Sequence, residues 1–255
     1  MELYNEYTLV KKLDYGGSPN VYEVLEDKTC EKKVAKIFND GYEIEFKKEV
    51  KILKSISDLD GVIKMFSYGK GFLSMEDEED FKNYIILEYG KGSLLQYMEK
   101  LDKPFSEDTA VFLFYQFIKD VNELHQRGIS HRDLKADNAL LVGDNLSVKL
   151  CDFGLSKSFL NLNNQKIMFK DSYQVGSPFH YPPEILENKY FEGESCDIYF
   201  AEITLYSLVT GKPPYTEAIP KDEVYHFIYS NKIEQFWKHI DRNNLLSSQF
   251  RDLFV

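Results

Sequence analysis

The chain has 255 residues, 43% of them hydrophobic, and a formal net charge of −11. That length suits one large domain or two modest lobes sharing a hinge, and the acidity argues against a non-specific grip on nucleic acid or anionic membrane. No apolar run can span a membrane, MELYNEY lacks the marks of a secretory signal, and three scattered cysteines (Cys30, Cys151, Cys196) make neither a disulfide framework nor a zinc site.

A reducing intracellular compartment, the cytoplasm, is therefore expected. The first third reads as strands at Tyr7–Leu13, Val21–Leu25 and Lys33–Phe38, rich in β-branched and aromatic residues between turn signals. A helix is predicted from Glu43 to Ile56. Glu49, Leu53 and Ile56 share one face of it, so Glu49 points the way the core residues point. Strands near Ile63–Tyr68 and Tyr84–Glu88 flank the acidic run MEDEED, Met75–Asp80, read as a solvated loop. After a polar crossing at Tyr89–Gly92, Ser106 is the expected N-cap of a helix with Glu107 and Asp108 in its first turn. Val111, Phe114, Tyr115, Ile118 and Val121 supply its apolar stripe, ending near Arg127-Gly128. Short strands bracket the turn at Gly143-Asp144, Asn161–Lys170 reads as a mobile loop, and an apolar helix, Asp197–Thr210, stops before GKPPY. Strands first and helices after predict an α+β fold: a small β-rich lobe with one main helix (1–88), a hinge (89–92) and a larger, mainly helical lobe (93–255).

Five short motifs occur in order. They are the glycine pair in LDYGGSPNVYEV (Leu13–Val24), VAKIF with Lys36, HRDLKADN (His131–Asn138), CDFG (Cys151–Gly154) and PPE (Pro182–Glu184). Each alone is weak. Together, in this order and at these separations, they resemble the signature set of the eukaryotic protein-kinase superfamily over essentially the whole chain. The resemblance implies a bilobal serine/threonine protein kinase that uses ATP and Mg2+ to phosphorylate a Ser/Thr hydroxyl of a protein substrate. It casts Asp133 as the base and Lys135 as a neighbour of the transferring phosphate. Lys36 would bridge the α- and β-phosphates, held by Glu49, while Asn138 and Asp152 hold magnesium. Leu13, Gly16, Gly17 and Ser18 would form the lid of the nucleotide site. Val21 and Ala35 would lie above the adenine and Leu140 below it, with Leu87 as gatekeeper and Glu88, Tyr89 and Gly90 as hinge. His131, Phe153 and Leu53 would stack, and Asp197 would cap the catalytic loop. On the regulatory side, Arg132 would meet a phosphorylated activation segment, with Ser172 or Tyr173 as acceptor. Ser177 would contact the catalytic loop.

The pattern is broken in places. Asp14 and Pro19 stand where the family has glycine, and proline has no N–H to offer a phosphate, so weakened ATP contacts are expected. The chain stops at FRDLFV, before the arginine that would pair with Glu184, so either the sequence is a truncated piece or Glu184 finds another partner. The rival reading is a pseudokinase, the same fold serving as a nucleotide-binding or interaction scaffold. The presence of Lys36, Glu49, Asp133, Asn138 and Asp152 together favours catalysis.

Overall fold

The computed structural model describes residues 2–3, 6–13, 19–75, 78–170, 181–241 and 246–254. Two compact units emerge: Met1–Lys91 with Val142–Gly154, and Gly92–Leu141 with Leu155–Val255.

In the first unit, six antiparallel strands close into a barrel. They are β1 (Glu2–Leu3), β2 (Tyr7–Lys12), β3 (Asn20–Glu26), β4 (Lys32–Phe38), β5 (Met65–Met75) and β6 (Glu78–Glu88), in the order β1-β2-β3-β4-β6-β5 with β5 returning to β1. Side chains of a strand alternate between faces. On β4, Ala35 and Ile37 join Val24, Tyr84 and Ile86 in the barrel core, which sends Lys36 and Phe38 to the opposite face. Helix α1 (Glu43–Ser55) buries Phe46, Glu49, Val50 and Leu53, the phase expected from its sequence. Phe46 meets Phe38 edge-on at 5.4 Å between centroids. Strand β10 (Ser147–Leu150) belongs to this unit because Leu150 exchanges backbone hydrogen bonds with Gly61 and Ile63, each 2.9 Å. The acidic run is not all loop: Glu78, Glu79 and Asp80 extend β6, paired with Met75, Ser74 and Leu73. Pairing across a hairpin supplies what their low β-propensity does not.

The second unit is mainly helical. Ser93 caps α2 (Leu94–Leu101) in a reciprocal capping box with Gln96. Ser106 caps α3 (Glu107–Gln126) by accepting from the Thr109 amide, as its position before two acids suggests. The buried stripe of α3 differs from the expected one. It runs through Ala110, Leu113, Phe117, Val121 and Leu124, while Val111 and Tyr115 are 43% and 68% exposed. The tract VFLFYQFI offers apolar residues on more than one face, and packing against α5 (Gly193–Thr210) selects one of them. Helix α5 starts four residues earlier than expected, at Gly193, and is buried on most sides. It ends at Gly211, whose left-handed φ of +79° closes the last turn through a bond to Ser207 O. A separate aromatic core joins Tyr206 and Tyr215 of this region to Phe236 and Trp237 of α7 (Ile233–Ile240) and to Phe250 and Phe254 of α8 (Ser248–Phe254). Among the described residues, no helix is long and apolar enough to cross a membrane.

Asn161–Lys170 forms a loop, as expected, with hydrogen bonds and short bridges of its own. The Asn161 side chain accepts from the Asn163 and Gln165 amides, Ile167 bonds back to Phe159, and Phe169 is buried. Asparagine can organise a turn through its own side chain, which a composition-based reading does not register.

Glu202, on α5, is pushed by burial to about 7 from its ordinary 4.5. A raised carboxyl pKa contributes stability that is fully present below 4.5 and is lost as pH climbs through about 7. Glu202→Gln should therefore leave the melting temperature at pH 5 nearly unchanged and stabilise the protein at pH 8 by about 1–3 kcal/mol. Thermal melts at both pH values read this directly, and an equal effect at both would count against it.

Candidate active site

The first unit assembles a buried charge cluster. Lys36 projects from β4, Glu49 from α1, and Asp152 from the turn after β10. Lys36 Nζ lies 2.7 Å from Glu49 Oε1 and 2.8 Å from Asp152 Oδ1. Burial works against the lysine's charge, but the two carboxylates outweigh it and hold its pKa above the ordinary value. Burial and the Asp152 charge raise Glu49 against the pull of Lys36. The lysine is therefore locked as a cation, with Glu49 only 2% exposed. Asp152 differs from its partners: half of its side chain is accessible, and it sits at a left-handed φ of +60°, a strained conformation of the kind that clusters at functional sites. Gly154 follows closely, and an added Cβ there would meet Asp152 Oδ1 at 3.4 Å and Glu49 Oε2 at 3.5 Å.

The adenine-side candidates in this unit fall on the same strands. Ala35 is fully buried and Leu87 nearly so, while Val21 is half-buried opposite Lys36 in the β3–β4 register. Glu88 ends β6. Its carboxylate accepts from Lys149 Nζ at 2.9 and 3.1 Å and from the Lys64 amide at 3.1 Å. Tyr89 and Gly90 follow, both half-buried. Leu13 is 38% exposed and bonds through its amide to Val21 O. Gly16, Gly17, Ser18 and Asp14 lie outside the described residues, as do Ser172, Tyr173 and Ser177.

The second unit holds the other group. HRDLKADN occupies the loop between β8 (Ile129–Ser130) and β9 (Ala139–Val142). Asn138 Nδ2 donates to Asp133 O at 2.8 Å and to Asp133 Oδ2 at 2.9 Å, and Lys135 Nζ reaches the same carboxylate oxygen at 2.9 Å. Asp133 and Asn138 are each 6% exposed. Asp197 of α5, completely buried, accepts from the His131 amide at 2.8 Å and the Arg132 amide at 2.7 Å. Arg132 itself adopts a left-handed φ of +70°, so the bond from Asp197 secures a conformation that a non-glycine residue resists. Leu140, the lower adenine candidate, is half-buried on β9. Leu53 and Phe153 are buried in the first unit and His131 in the second.

Some participants carried no motif. His125 places Nε2 2.9 Å from Asp197 Oδ2. Tyr181 is buried, and its hydroxyl pKa is raised by that burial and by the Asp133 charge. Neither has a local signature, because each meets its partner only through tertiary packing. The first unit's group offers a fixed cation and a half-exposed carboxylate; the second unit's offers a carboxylate oriented by an amide and an ammonium. Among the described residues no cluster of three or more His, Cys, Asp or Glu side chains forms a protein-only metal cage. Mg2+ does not need one, since it keeps several waters and takes few protein oxygens. Asp152 with its accessible carboxylate fits that demand, as does Asn138, whose Nδ2 is engaged and whose Oδ1 remains the acceptor.

A β-barrel carrying one long helix and an ion-paired lysine, with a helical unit carrying the HRDLKADN loop, are the parts of a protein-kinase catalytic domain. Residues 7–255 match the family described as protein kinase domain, and the chain belongs to it. It is 29% identical over 222 residues to CBL-interacting protein kinase 26 of Oryza sativa subsp. japonica, covering 84% of this chain and 42% of that protein. It is 38% identical over 140 residues to serine/threonine-protein kinase SRK2C of Arabidopsis thaliana, covering 54% of this chain and 39% of that one. Calcium-dependent protein kinase 31 of Arabidopsis thaliana is 33% identical over 204 residues, or 76% of this chain and 39% of its own length. The matched regions thus span well under half of each of these relatives.

Proposed function

We propose that this chain is the catalytic domain of a serine/threonine protein kinase that transfers the γ-phosphoryl group of ATP to a Ser or Thr hydroxyl of a protein. The observation that carries the reading is the buried Lys36–Glu49 pair at 2.7 Å with Asp152 2.8 Å from the same ammonium. A buried ion pair is weak evidence for stability, and Asp152, beside the same ammonium, has half of its side chain open to solvent.

Phosphoryl transfer asks a protein for positioning and charge neutralisation. Lys36, fixed by Glu49, would bind the α- and β-phosphates. Asp133, oriented by Asn138, would accept the proton of the substrate hydroxyl, and Lys135 would steady the charge on the transferring group. Leu13, Gly16, Gly17 and Ser18 would cover the phosphates. Val21, Ala35 and Leu140 would enclose the adenine, with Leu87, Glu88 and Gly90 reading its edge. Asp152 and Asn138 would hold Mg2+, which when bound supplies charge neutralisation on the phosphates. In this scheme residues 1–88 form the small lobe, 89–92 the hinge and 93–255 the large lobe. The chain's three scattered cysteines support a reducing, intracellular setting.

Magnesium-dependent transfer of labelled phosphate from ATP to a generic protein substrate tests the reading. Asp133→Asn should lower kcat by about 10²–10⁴-fold, the usual worth of a positioned base, with ATP affinity retained. Wild-type activity no higher than that of Asp133→Asn, with nucleotide still bound, would point instead to a pseudokinase scaffold.

A further inference from the structure

A buried acid stands on the outer face of the barrel, in the first unit. Val24 belongs to the barrel core, so alternation along β3 turns Glu23 outward. It shares that face with Val21, which stands opposite Lys36 in the β3–β4 register. Glu23 is nevertheless only 3% exposed. Lys32 Nζ lies 2.8 Å from its Oε1, and Lys11 Nζ lies 3.3 Å from its Oε2. Burial opposes the carboxylate's charge, but Lys32 and Lys11 outweigh it and hold its pKa below the ordinary value. Both lysine side chains are more than half exposed, and ion pairs made by exposed lysines add little to stability.

The same carboxylate reaches the residue that follows β6. Tyr89 donates its hydroxyl to Glu23 Oε2 at 3.5 Å, and Lys32 Nζ lies over the Tyr89 ring, 5.2 Å from its centroid. One ammonium thus binds the acid and, by cation–π attraction, the ring. Glu88, the residue before, is pinned as well. Its carboxylate accepts from Lys149 Nζ and the Lys64 amide, and its own amide donates to Lys64 O at 2.8 Å. Gly90 comes next with no side chain to anchor it, so the course of its backbone depends on what holds Tyr89.

We propose that Glu23 is a positioning residue for the nucleotide base: with Lys11 and Lys32 it holds the Tyr89 side chain, and so fixes the backbone of residues 88–90 that reads the adenine edge. The proposal rests on the kinase reading above and assigns part of the ATP affinity to a charge cluster that acts through Tyr89. Its signature is an effect on nucleotide binding with the chemical step left alone.

The test compares Glu23→Leu, which removes the acceptor and leaves both lysines in solvent, with Tyr89→Ala, which removes what the acid holds. Each should raise the Kd for Mg·ATP, read by calorimetry, and the KM for ATP by about fivefold, with kcat and melting temperature close to wild type. The two residues act as one unit, so the double variant should lose no more than either single one. Glu23→Gln keeps an oxygen for the Tyr89 hydroxyl and should stay within about twofold of wild type. Hydrogen exchange gives a readout independent of nucleotide: amides of residues 88–91 should exchange faster in Glu23→Leu than in wild type, with α1 unchanged. Unaltered ATP affinity in Glu23→Leu would overturn the proposal, as would additive losses in the double variant or a fall in kcat at constant KM. Wild-type protein that binds Mg·ATP without transferring phosphate would overturn the catalytic reading instead, and a raised Kd in Glu23→Leu would still support the role of Glu23. Wild-type protein that binds no Mg·ATP would overturn both.

Discussion

Lys36→Met is expected to cut phosphotransfer to about 1% of wild type or less and to destabilise the protein by about 3–5 kcal/mol. The two losses have different causes. Activity falls because the phosphates lose their fixed cation. Stability falls because Glu49, 2% exposed and 2.7 Å from the lysine, is left as a buried carboxylate beside Asp152. That carboxylate must then protonate. Burial already raises its pKa, so its contribution to stability is lost as pH rises through the folded value. The variant should therefore be weaker at pH 8 than at pH 5. A second substitution separates the effects. Lys36→Met with Glu49→Leu removes the orphaned charge and should recover most of the stability, since an apolar pair in place of a buried ion pair is often neutral or better. Phosphotransfer stays lost. Urea melts and phosphate-transfer assays on both variants check the claim. A double variant no more stable than the single one would show that the pair supports the fold in some other way.

Asp197→Ala should lower the melting temperature by about 10 °C and cost at least as much in kcat as in stability. The carboxylate is fully buried and accepts from two backbone amides, at 2.8 and 2.7 Å. Deleting it strands both N–H groups, at about 1–3 kcal/mol each. His125 loses its partner 2.9 Å away as well. For a chain of this size, each kcal/mol moves the midpoint by about 2–4 °C. The left-handed turn at Arg132 then has no acceptor to hold it, and Asp133 inherits the disorder. Asp197→Asn keeps one carbonyl oxygen and should recover part of the loss. Calorimetry with the transfer assay separates the outcomes: an unchanged midpoint in Asp197→Ala would mean that water or a neighbour satisfies the amides.

Much of this was legible locally. VAKIF reads as a strand, and EFKKEVKIL has the period of a helix with Glu49 on its apolar face; that Lys36 and Glu49 pair was implied by the resemblance to the protein kinases. HRDLKADN packs Asp133, Lys135 and Asn138 within six residues, and their contacts at 2.9 Å form within that one loop. Ser106 announced its helix because a cap acts on amides only two or three residues away.

Other features depended on partners far along the chain. The face of α3 that became buried was chosen by α5, some 80 residues later, and not by the stripe that looked most apolar. Phe169 sits in a tract of asparagine, glutamine and lysine, and nothing nearby marks it as buried. Its burial comes from Phe191 and Gly193. Residues 142–154 lie after the helical stretch in sequence yet fold with the first unit, because Leu150 bonds to Gly61 and Ile63. The sequence by itself determined the chemistry on offer, the element types and the family, since motifs, caps and periodicities act over a few residues. Which faces were buried and which charges met were decided by tertiary structure, because burial and long-range hydrogen bonds are properties of pairs that local pattern does not join.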